Sequence, residues 1–177
     1  MKNFEVPQKE QVSAANQAIF ENLEKGIGFV PNLYAAFAHS ENALSTYIAL
    51  QSSKTSLKAK EKEVVNLVVS QFNNCLYCLS AHTAIAKMNG FTDEQIIEIR
   101  KADVSFDSKL NALAKAVQSI AENNGAISDE IKENFFREGY TEGSLVDVIV
   151  LTGDKIITNY LFAATEVPID WPLAKAI

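Results

Sequence analysis

The two cysteines and one of the histidines are the residues whose side chains are best suited to chemistry. They lie within one short stretch, EVVNLVVSQFNNCLYCLSAHTAIAKMNG, which runs from Glu63 to Gly90. On a helix, Cys78 would lie about 60° and His82 about 20° around the axis from Cys75. Two thiols and an imidazole would therefore share one face. A helix N-terminus and a nearby imidazole both favour the reactive thiolate. A second thiol can convert a sulfenic acid into a disulfide, so the pair suits thiol–disulfide exchange or peroxide reduction.

Other interpretations of these residues remain open. Two cysteines on a helix can simply be small core residues. Cys75, Cys78, His82 and one carboxylate could also bind zinc, although the chain lacks the second CxxC or histidine pair of a usual structural zinc site. Tyr77 is interpreted as a packing residue. His39 has no comparable neighbours, and we interpret it as a helix-end or core histidine.

The composition limits the class of protein. The 177 residues are 47% apolar and 21% charged, which is typical of a globular domain with a real core. A net charge of −6 argues against nucleic acid as a partner. We see no signal peptide and no membrane span, and we expect a cytoplasmic protein. In that compartment a CxxC is more often catalytic or metal-binding than a structural disulfide.

The elements that position these residues are all predicted to be helices. Glycines and prolines are few, 7 and 4, and apolar residues recur at spacings of three and four. Valines between Glu63 and Phe72 would also suit a strand, but their spacing and the preceding LKAKEKE favour a helix. The last helix is apolar on most faces, so we expect it in the core or in a subunit contact, with close packing at Gly153. The predicted helices are 8–25, one beginning near 31, one capped by Ser40, 56–72, 75–89, 92–102, 107–123, 128–139 and 141–165.

The spacing of Glu63, Cys75-Leu-Tyr-Cys78 and His82 resembles the signature of the AhpD-like alkylhydroperoxidases of the carboxymuconolactone decarboxylase superfamily. The flanks resemble the peroxidase-related branch, in the segment GFVPN from Gly28 and in Asn159 with the later TEVPID. The resemblance covers most of the chain. It implies a single AhpD-like all-α helical bundle over residues 1–177, with the helix of Glu63 beside the CxxC helix, and association into trimers or hexamers.

The resemblance also implies roles. Cys78 would attack the peroxide, and Cys75 would donate a proton and then form the disulfide. His82 and Glu63 would form the proton relay, with His82 on the thiol side. The helix dipole alone would favour Cys75 as the attacking thiol. No metal or organic cofactor is implied. The electron donor would be a small thiol, thioredoxin or a lipoyl protein.

One position departs from the pattern of the best-known AhpD members, which carry a histidine directly before the second cysteine. Here that position is Tyr77, a far weaker base near neutral pH. The relay would then be simpler or the substrate different. Decarboxylase members of the superfamily lack the CxxC pair.

Three functions follow as hypotheses. The first is a thiol-dependent reductase of hydrogen peroxide, an organic hydroperoxide or a protein disulfide. The second is a decarboxylase-like or isomerase-like lyase that uses Glu63 and His82 as acid and base. The third is a non-enzymatic redox sensor in which the disulfide changes assembly.

Overall fold

The structure is a computed structural model that describes residues 4–177. Within this range the chain forms nine α-helices and no β-strand, which confirms the all-α prediction. A short 3-10 turn, Lys9–Gln11, precedes the first helix. The helices are α1 (Ala14–Ile27), α2 (Asn32–Phe37), α3 (Ala43–Gln51), α4 (Ala59–Phe72), α5 (Leu76–Met88), α6 (Asp93–Arg100), α7 (Ser108–Glu122), α8 (Asp129–Arg137) and α9 (Glu142–Thr165).

The described chain divides into two compact units. The first comprises the chain up to Ser53 together with Tyr160–Asp170, and the second comprises Lys54–Asn159 together with Trp171–Ile177. The prediction of one domain over residues 1–177 stays a prediction, and its residues 1–3 lie outside the described range. All four predicted site residues belong to the second unit.

The first unit packs α1, α2 and α3 around a small core that includes Phe20 and Leu44. Asn16 is fully buried, and its Nδ2 donates hydrogen bonds to the carbonyl oxygens of Ala38 and Ser40 at 3.3 and 3.1 Å. These bonds tie α1 to the turn that precedes α3. His39 is exposed just beyond α2, where its Nε2 lies 2.8 Å from the carbonyl oxygen of Glu5, in agreement with the helix-end interpretation.

The second unit is built around α4. Its valines and Leu67 are almost completely buried because α5, α6 and α7 all pack against this helix. Burial on every side explains why its sequence resembles a strand by composition, and the structure confirms the helix prediction. The larger core continues through α7 and α8 to Phe135 and Tyr140, whose rings stack at 4.3 Å between centroids.

Three predicted helix starts, at residues 92, 107 and 128, are confirmed. Thr92 and Gln95 form the capping box of α6, and the side chains of Asp107 and Ser128 accept backbone hydrogen bonds at the starts of α7 and α8. Asn74 adopts a left-handed conformation with φ +53°, which asparagine tolerates better than most residues. This turn separates α4 from α5 at the predicted break.

Three predicted helix starts were wrong. The first helix does not begin at residue 8, because Val12 is extended and buried and Ser13 then caps α1. Helix α4 begins at Ala59 rather than at residue 56, because Glu61 accepts the Lys58 amide at 2.7 Å and completes a cap there. The third helix begins at Ala43, so Asn42 and not Ser40 holds the N-cap position, although the Ser40 hydroxyl still accepts the Ala43 amide at 3.3 Å.

Helix α9 differs from its prediction in the distribution of its polar residues. Polar side chains of this helix are buried while apolar ones are exposed. Val146 is 62% exposed, whereas Lys155 is 2% exposed. Gly153 is exposed, and a Cβ there would meet nothing within 4 Å, so the expected close packing at Gly153 is wrong within this chain. No helix among residues 4–177 is long and apolar enough to cross a bilayer.

Asn159 of α9 holds the turn that precedes Cys75. Its Oδ1 accepts a hydrogen bond from Asn73 Nδ2 at 2.9 Å, and its Nδ2 donates to the hydroxyl of Ser70 at 3.4 Å. We expect Asn159→Ala to lower the free energy of unfolding by about 1–3 kcal/mol, because these buried groups lose their partner. Urea unfolding measures this loss. Asn42→Ala, which removes an exposed amide without a capping hydrogen bond, is the control, and equal effects of the two variants would contradict the prediction.

Candidate active site

The two cysteines lie at the start of α5 and are joined by a disulfide, with 5.3 Å between their Cα atoms. Cys75 is the N-cap of the helix, and its Sγ accepts the backbone N–H of Cys78 at 3.3 Å. Its own amide donates to the carbonyl oxygen of Ser70 at 3.0 Å. Both cysteines are buried, with 2% and 3% of their surface exposed. The CxxC therefore lies at the positive end of a helix dipole, as expected from the sequence.

Glu63 and His82 form a buried pair between α4 and α5. Glu63 Oε2 lies 2.9 Å from His82 Nδ1, and Glu63 Oε1 accepts a hydrogen bond from Asn66 Nδ2 at 3.1 Å. The sequence resemblance implied that the helix of Glu63 packs beside the CxxC helix, and the structure brings the two side chains together. His82 is one helical turn beyond Cys78, a spacing at which side chains on a helix are neighbours.

Lys155 of α9 completes this arrangement, and sequence reasoning missed it. Its Nζ lies 2.8 Å from His82 Nε2, although the two residues are 73 positions apart in the chain. Lys155 is 2% exposed and Asp154 beside it is 3% exposed. Two adjacent charged residues in the middle of an otherwise apolar helix were the available signal, because such charges are rarely buried without a partner.

Both ring nitrogens of His82 are therefore engaged, one by Glu63 and the other by Lys155. The sequence analysis placed His82 on the thiol side of the relay. The hydrogen bonds here run instead along a line from Glu63 through His82 to Lys155. The structure thus adds a third ionisable group to the predicted pair.

Burial and neighbouring charges change the acidity of all three groups. Burial lowers the pKa of His82, and the nearby Lys155 lowers it further, against the opposing effect of Glu63. Burial likewise lowers the pKa of Lys155. Burial alone would raise the pKa of Glu63, but His82, Asn66 and Lys155 outweigh it and lower the pKa. Glu63 is therefore ionised at neutral pH and can only accept hydrogen bonds.

The remaining sequence interpretations concern Tyr77 and zinc. Tyr77 lies between the two cysteines in the sequence. It is buried, with 3% of its surface exposed, in agreement with a packing role. Among residues 4–177, no three His, Cys, Asp or Glu side chains come together in an arrangement that could hold a metal ion. The zinc interpretation of the CxxC gains no support from this geometry.

Comparison with known proteins places these residues in a family context. The family model described as "Carboxymuconolactone decarboxylase family" matches residues 31–122, just over half of the chain. The matched range includes Glu63, both cysteines and His82, and it ends before Lys155. No protein of curated function matches the sequence.

Solved structures share the fold at low sequence identity. An uncharacterised peroxidase-related protein from Silicibacter sp. TM1040 is 20% identical, covers 97% of this chain and 90% of its own, and superposes with a TM-score of 0.81. An uncharacterised peroxidase-related protein with an alkylhydroperoxidase AhpD core, from Ralstonia eutropha JMP134, is 17% identical, with coverages of 95% and 92% and a TM-score of 0.86. The debrominase Bmp8, as an alanine-for-cysteine variant with 2,3,4-tribromopyrrole, is 14% identical, with coverages of 96% and 92% and a TM-score of 0.78.

Proposed function

Since this chain belongs to the carboxymuconolactone decarboxylase family, we propose that it is a thiol-dependent hydroperoxide reductase of the AhpD type. The observation that carries the proposal is the Cys75–Cys78 disulfide at the start of α5, one helical turn from a buried histidine–carboxylate pair. A disulfide of this kind is one of the two states through which such an enzyme must cycle. The cysteines return to the dithiol state in a reducing compartment, so we propose that the protein works in the cytoplasm.

The chemistry begins from the dithiol. The Cys78 thiolate attacks the terminal oxygen of the hydroperoxide, the O–O bond breaks, and the alkoxide takes a proton to leave as the alcohol. Cys78 is then a sulfenic acid. The Cys75 sulfur attacks the Cys78 sulfur, the S–O bond breaks, and the hydroxyl takes a proton to leave as water. The peroxide is reduced by two electrons, and the cysteine pair is oxidised to the disulfide.

Glu63 and His82 would move the protons in this cycle. A carboxylate that accepts Nδ1–H leaves Nε2 as the basic nitrogen of the imidazole, which is the orientation a general base requires. A dithiol donor closes the cycle through thiol–disulfide exchange. Candidate donors are a small thiol, thioredoxin or a lipoyl protein.

The experiment measures intact mass and free-thiol count after reduction, removal of the reductant and addition of one equivalent of cumene hydroperoxide. We expect the rapid loss of both thiols and of two mass units. Hydrogen peroxide in a parallel reaction compares the two peroxide classes. Survival of both thiols would refute the proposal.

A lyase is the second candidate, because the family takes its name from a decarboxylase and Glu63, His82 and Lys155 form a buried acid–base system. In that reaction the cysteines would be dispensable. A double variant, Cys75→Ser with Cys78→Ser, that retained full activity toward a lactone acid would favour this candidate. Reduction of cumene hydroperoxide by the wild type that is lost in this double variant would favour the reductase.

We also propose that the chain forms a homo-oligomer, a trimer or hexamer, through the exposed face of α9. Val146, Ile149, Val150 and Ile157 lie at helical spacing on this face, and each is at least 43% exposed. Water-exposed apolar residues in such a row suggest a contact with a second copy. The opposite face of α9 carries the buried Lys155, so assembly through this helix would leave the His82 contact in place.

Val150→Asp is expected to reduce the mass in solution toward the 19.4 kDa of one chain, because a carboxylate in the contact would be desolvated. Light scattering after size-exclusion chromatography measures this mass. Met88→Asp, a change at an 85% exposed residue outside α9, is the control. Dissociation by Met88→Asp alone would place the contact elsewhere. Repeating the measurement with and without dithiothreitol tests the redox-sensor hypothesis, which requires the mass to depend on the disulfide.

A further inference from the structure

Three ionisable side chains form one continuous line of hydrogen bonds inside the second unit. Glu63 comes from α4, His82 from α5 and Lys155 from α9, with separations of 2.9 and 2.8 Å between successive partners. Each residue is at least nine-tenths buried. Because Lys155 is 73 residues away from His82 and outside the range of the family match, nothing in the cysteine motif specifies its presence.

The chemistry of the partners assigns the protons along this line. The ionised carboxylate of Glu63 can only accept, so His82 Nδ1 carries a proton and donates it. Taken as an ammonium, with the carboxylates of Glu63 and Asp154 nearby, Lys155 can only donate, so His82 Nε2 carries a lone pair and accepts. His82 is consequently neutral, with its proton on Nδ1. A second proton on the ring would face the Lys155 ammonium directly across 2.8 Å.

We propose that Lys155 is a positioning residue that keeps His82 neutral and in its Nδ1–H form, ready to accept a proton from the cysteine pair. The catalytic part of this inference rests on the proposed function, whereas the assignment of the histidine proton does not. Lys155 acts through His82 and needs no contact with the peroxide. The thiol proton can reach Nε2 directly once Lys155 Nζ moves away from it. Alternatively, Lys155 donates one proton to Nε2 and takes the thiol proton in its place.

Burial disfavours the charged form of Lys155, and two carboxylates oppose that effect. Glu63 faces the line from α4, and Asp154 lies beside Lys155 on α9, and both favour the charged form of Lys155. The same two carboxylates oppose Lys155 at His82, since they favour a protonated imidazole. Asp154 Oδ1 is buried without a hydrogen-bond partner. Removing Lys155 would therefore leave these two carboxylates to favour the protonated imidazole without an opposing cation.

The test uses the fact that the chain contains only two histidines. In protein labelled with ¹⁵N-histidine, long-range ¹H–¹⁵N correlation spectra identify the protonated nitrogen of each ring over a pH titration. His39 is the internal reference because it is exposed, and His82→Gln assigns the signals. We expect wild-type His82 to be the neutral Nδ1–H form through about pH 6–8, the range in which an ordinary histidine changes its charge.

Two variants separate the hydrogen bond from the charge. Lys155→Met removes both, and we expect His82 to take its second proton at a pH about one unit or more above that in wild type, a tenfold change in proton affinity. Lys155→Gln keeps a donor for Nε2 without the charge, so its midpoint is expected between those of wild type and Lys155→Met. A wild-type ring protonated on Nε2, or identical His82 titrations in all three proteins, would overturn the inference.

The rate of thiol oxidation by cumene hydroperoxide completes the test. For Lys155→Met we expect the acid limb of the pH–rate profile to shift to higher pH together with the His82 midpoint. The rate should therefore fall more at about pH 6 than at about pH 8. A uniform loss at every pH would indicate a structural role and overturn the positioning role. If the histidine spectra behave as expected but neither thiol reacts with peroxide, the proton assignment stands and the proposed function fails.

Discussion

Replacing Cys78 with serine is expected to abolish peroxide reduction, with kcat/KM for an organic hydroperoxide falling by about 10³-fold or more. The reason is chemical, since a serine hydroxyl is not ionised near neutral pH and cannot accept the peroxide oxygen as a thiolate does. Steady-state assays with dithiothreitol as the reductant, and single-turnover mixing of the reduced protein, both measure the loss.

Cys75→Ser is the matched variant, because it removes the same disulfide and leaves the other thiol. If Cys78 attacks, Cys75→Ser should react once with the peroxide and stop as a sulfenic acid, which a dimedone adduct reveals by mass. The structure offers a reason to test the opposite order, since Cys75 Sγ accepts the Cys78 N–H and a thiolate there would be stabilised. A sulfenic acid trapped in Cys78→Ser, and absent from Cys75→Ser, would assign the attack to Cys75.

Leu76→Ala is the control for both cysteine variants. Leu76 lies between the cysteines, and its side chain is 42% exposed, so its truncation changes the motif without removing a thiol. We expect this variant to retain most of the activity. A loss as large as that of Cys78→Ser would mean that local structure, and not the thiol, limits the reaction.

Replacing Glu63 with leucine is expected to lower the free energy of unfolding by about 3–5 kcal/mol, the usual cost when a buried charge, here that of Lys155, loses its partner. His82 Nδ1–H would lose its acceptor and Lys155 would lose a nearby carboxylate. Urea denaturation at pH 7 measures the change. Peroxide reduction should also fall, because the imidazole would lose the partner that orients it.

Glu63→Gln and a double variant separate the contributions to this loss. Glutamine keeps an acceptor for His82 and should lower the unfolding free energy by only about 1–3 kcal/mol. The double variant Glu63→Leu with Lys155→Met removes both charges. We expect its free energy of unfolding to be higher than that of Glu63→Leu alone. Strict additivity of the two single changes would show that Glu63 and Lys155 do not interact.

The pH dependence of the Glu63 contribution follows from its lowered pKa. A carboxyl group with a lowered pKa in the folded state stabilises the fold fully above its unfolded pKa of about 4.5, and the contribution is lost as the pH falls through the folded pKa. The stability difference between wild type and Glu63→Gln should therefore narrow in acid. A difference that grew as the pH fell below about 4.5 would contradict the assigned direction.

The sequence by itself predicted the elements whose signals are local. The helix starts at Thr92, Asp107 and Ser128 depend on residues within one turn, and the structure confirms them. The helical spacing of the α4 valines likewise outweighed their strand propensity. The predicted starts of α1 and α4 were wrong because several nearby residues could have capped each helix. The burial of Val12 and the hydrogen bond from the Lys58 amide to Glu61 determine which of them does.

For the site, the motif alone determined that Cys75 and Cys78 share the start of a helix, with His82 one turn beyond, because helix geometry fixes such distances. That Glu63 faces His82 needed the family resemblance, because the distance between two helices is a property of packing. Lys155 and the exposed apolar face of α9 were decided only by the tertiary structure. A helix with charges in an apolar sequence can bury either face, and the acidic and imidazole partners on α4 and α5 determine that the polar face of α9 lies inside.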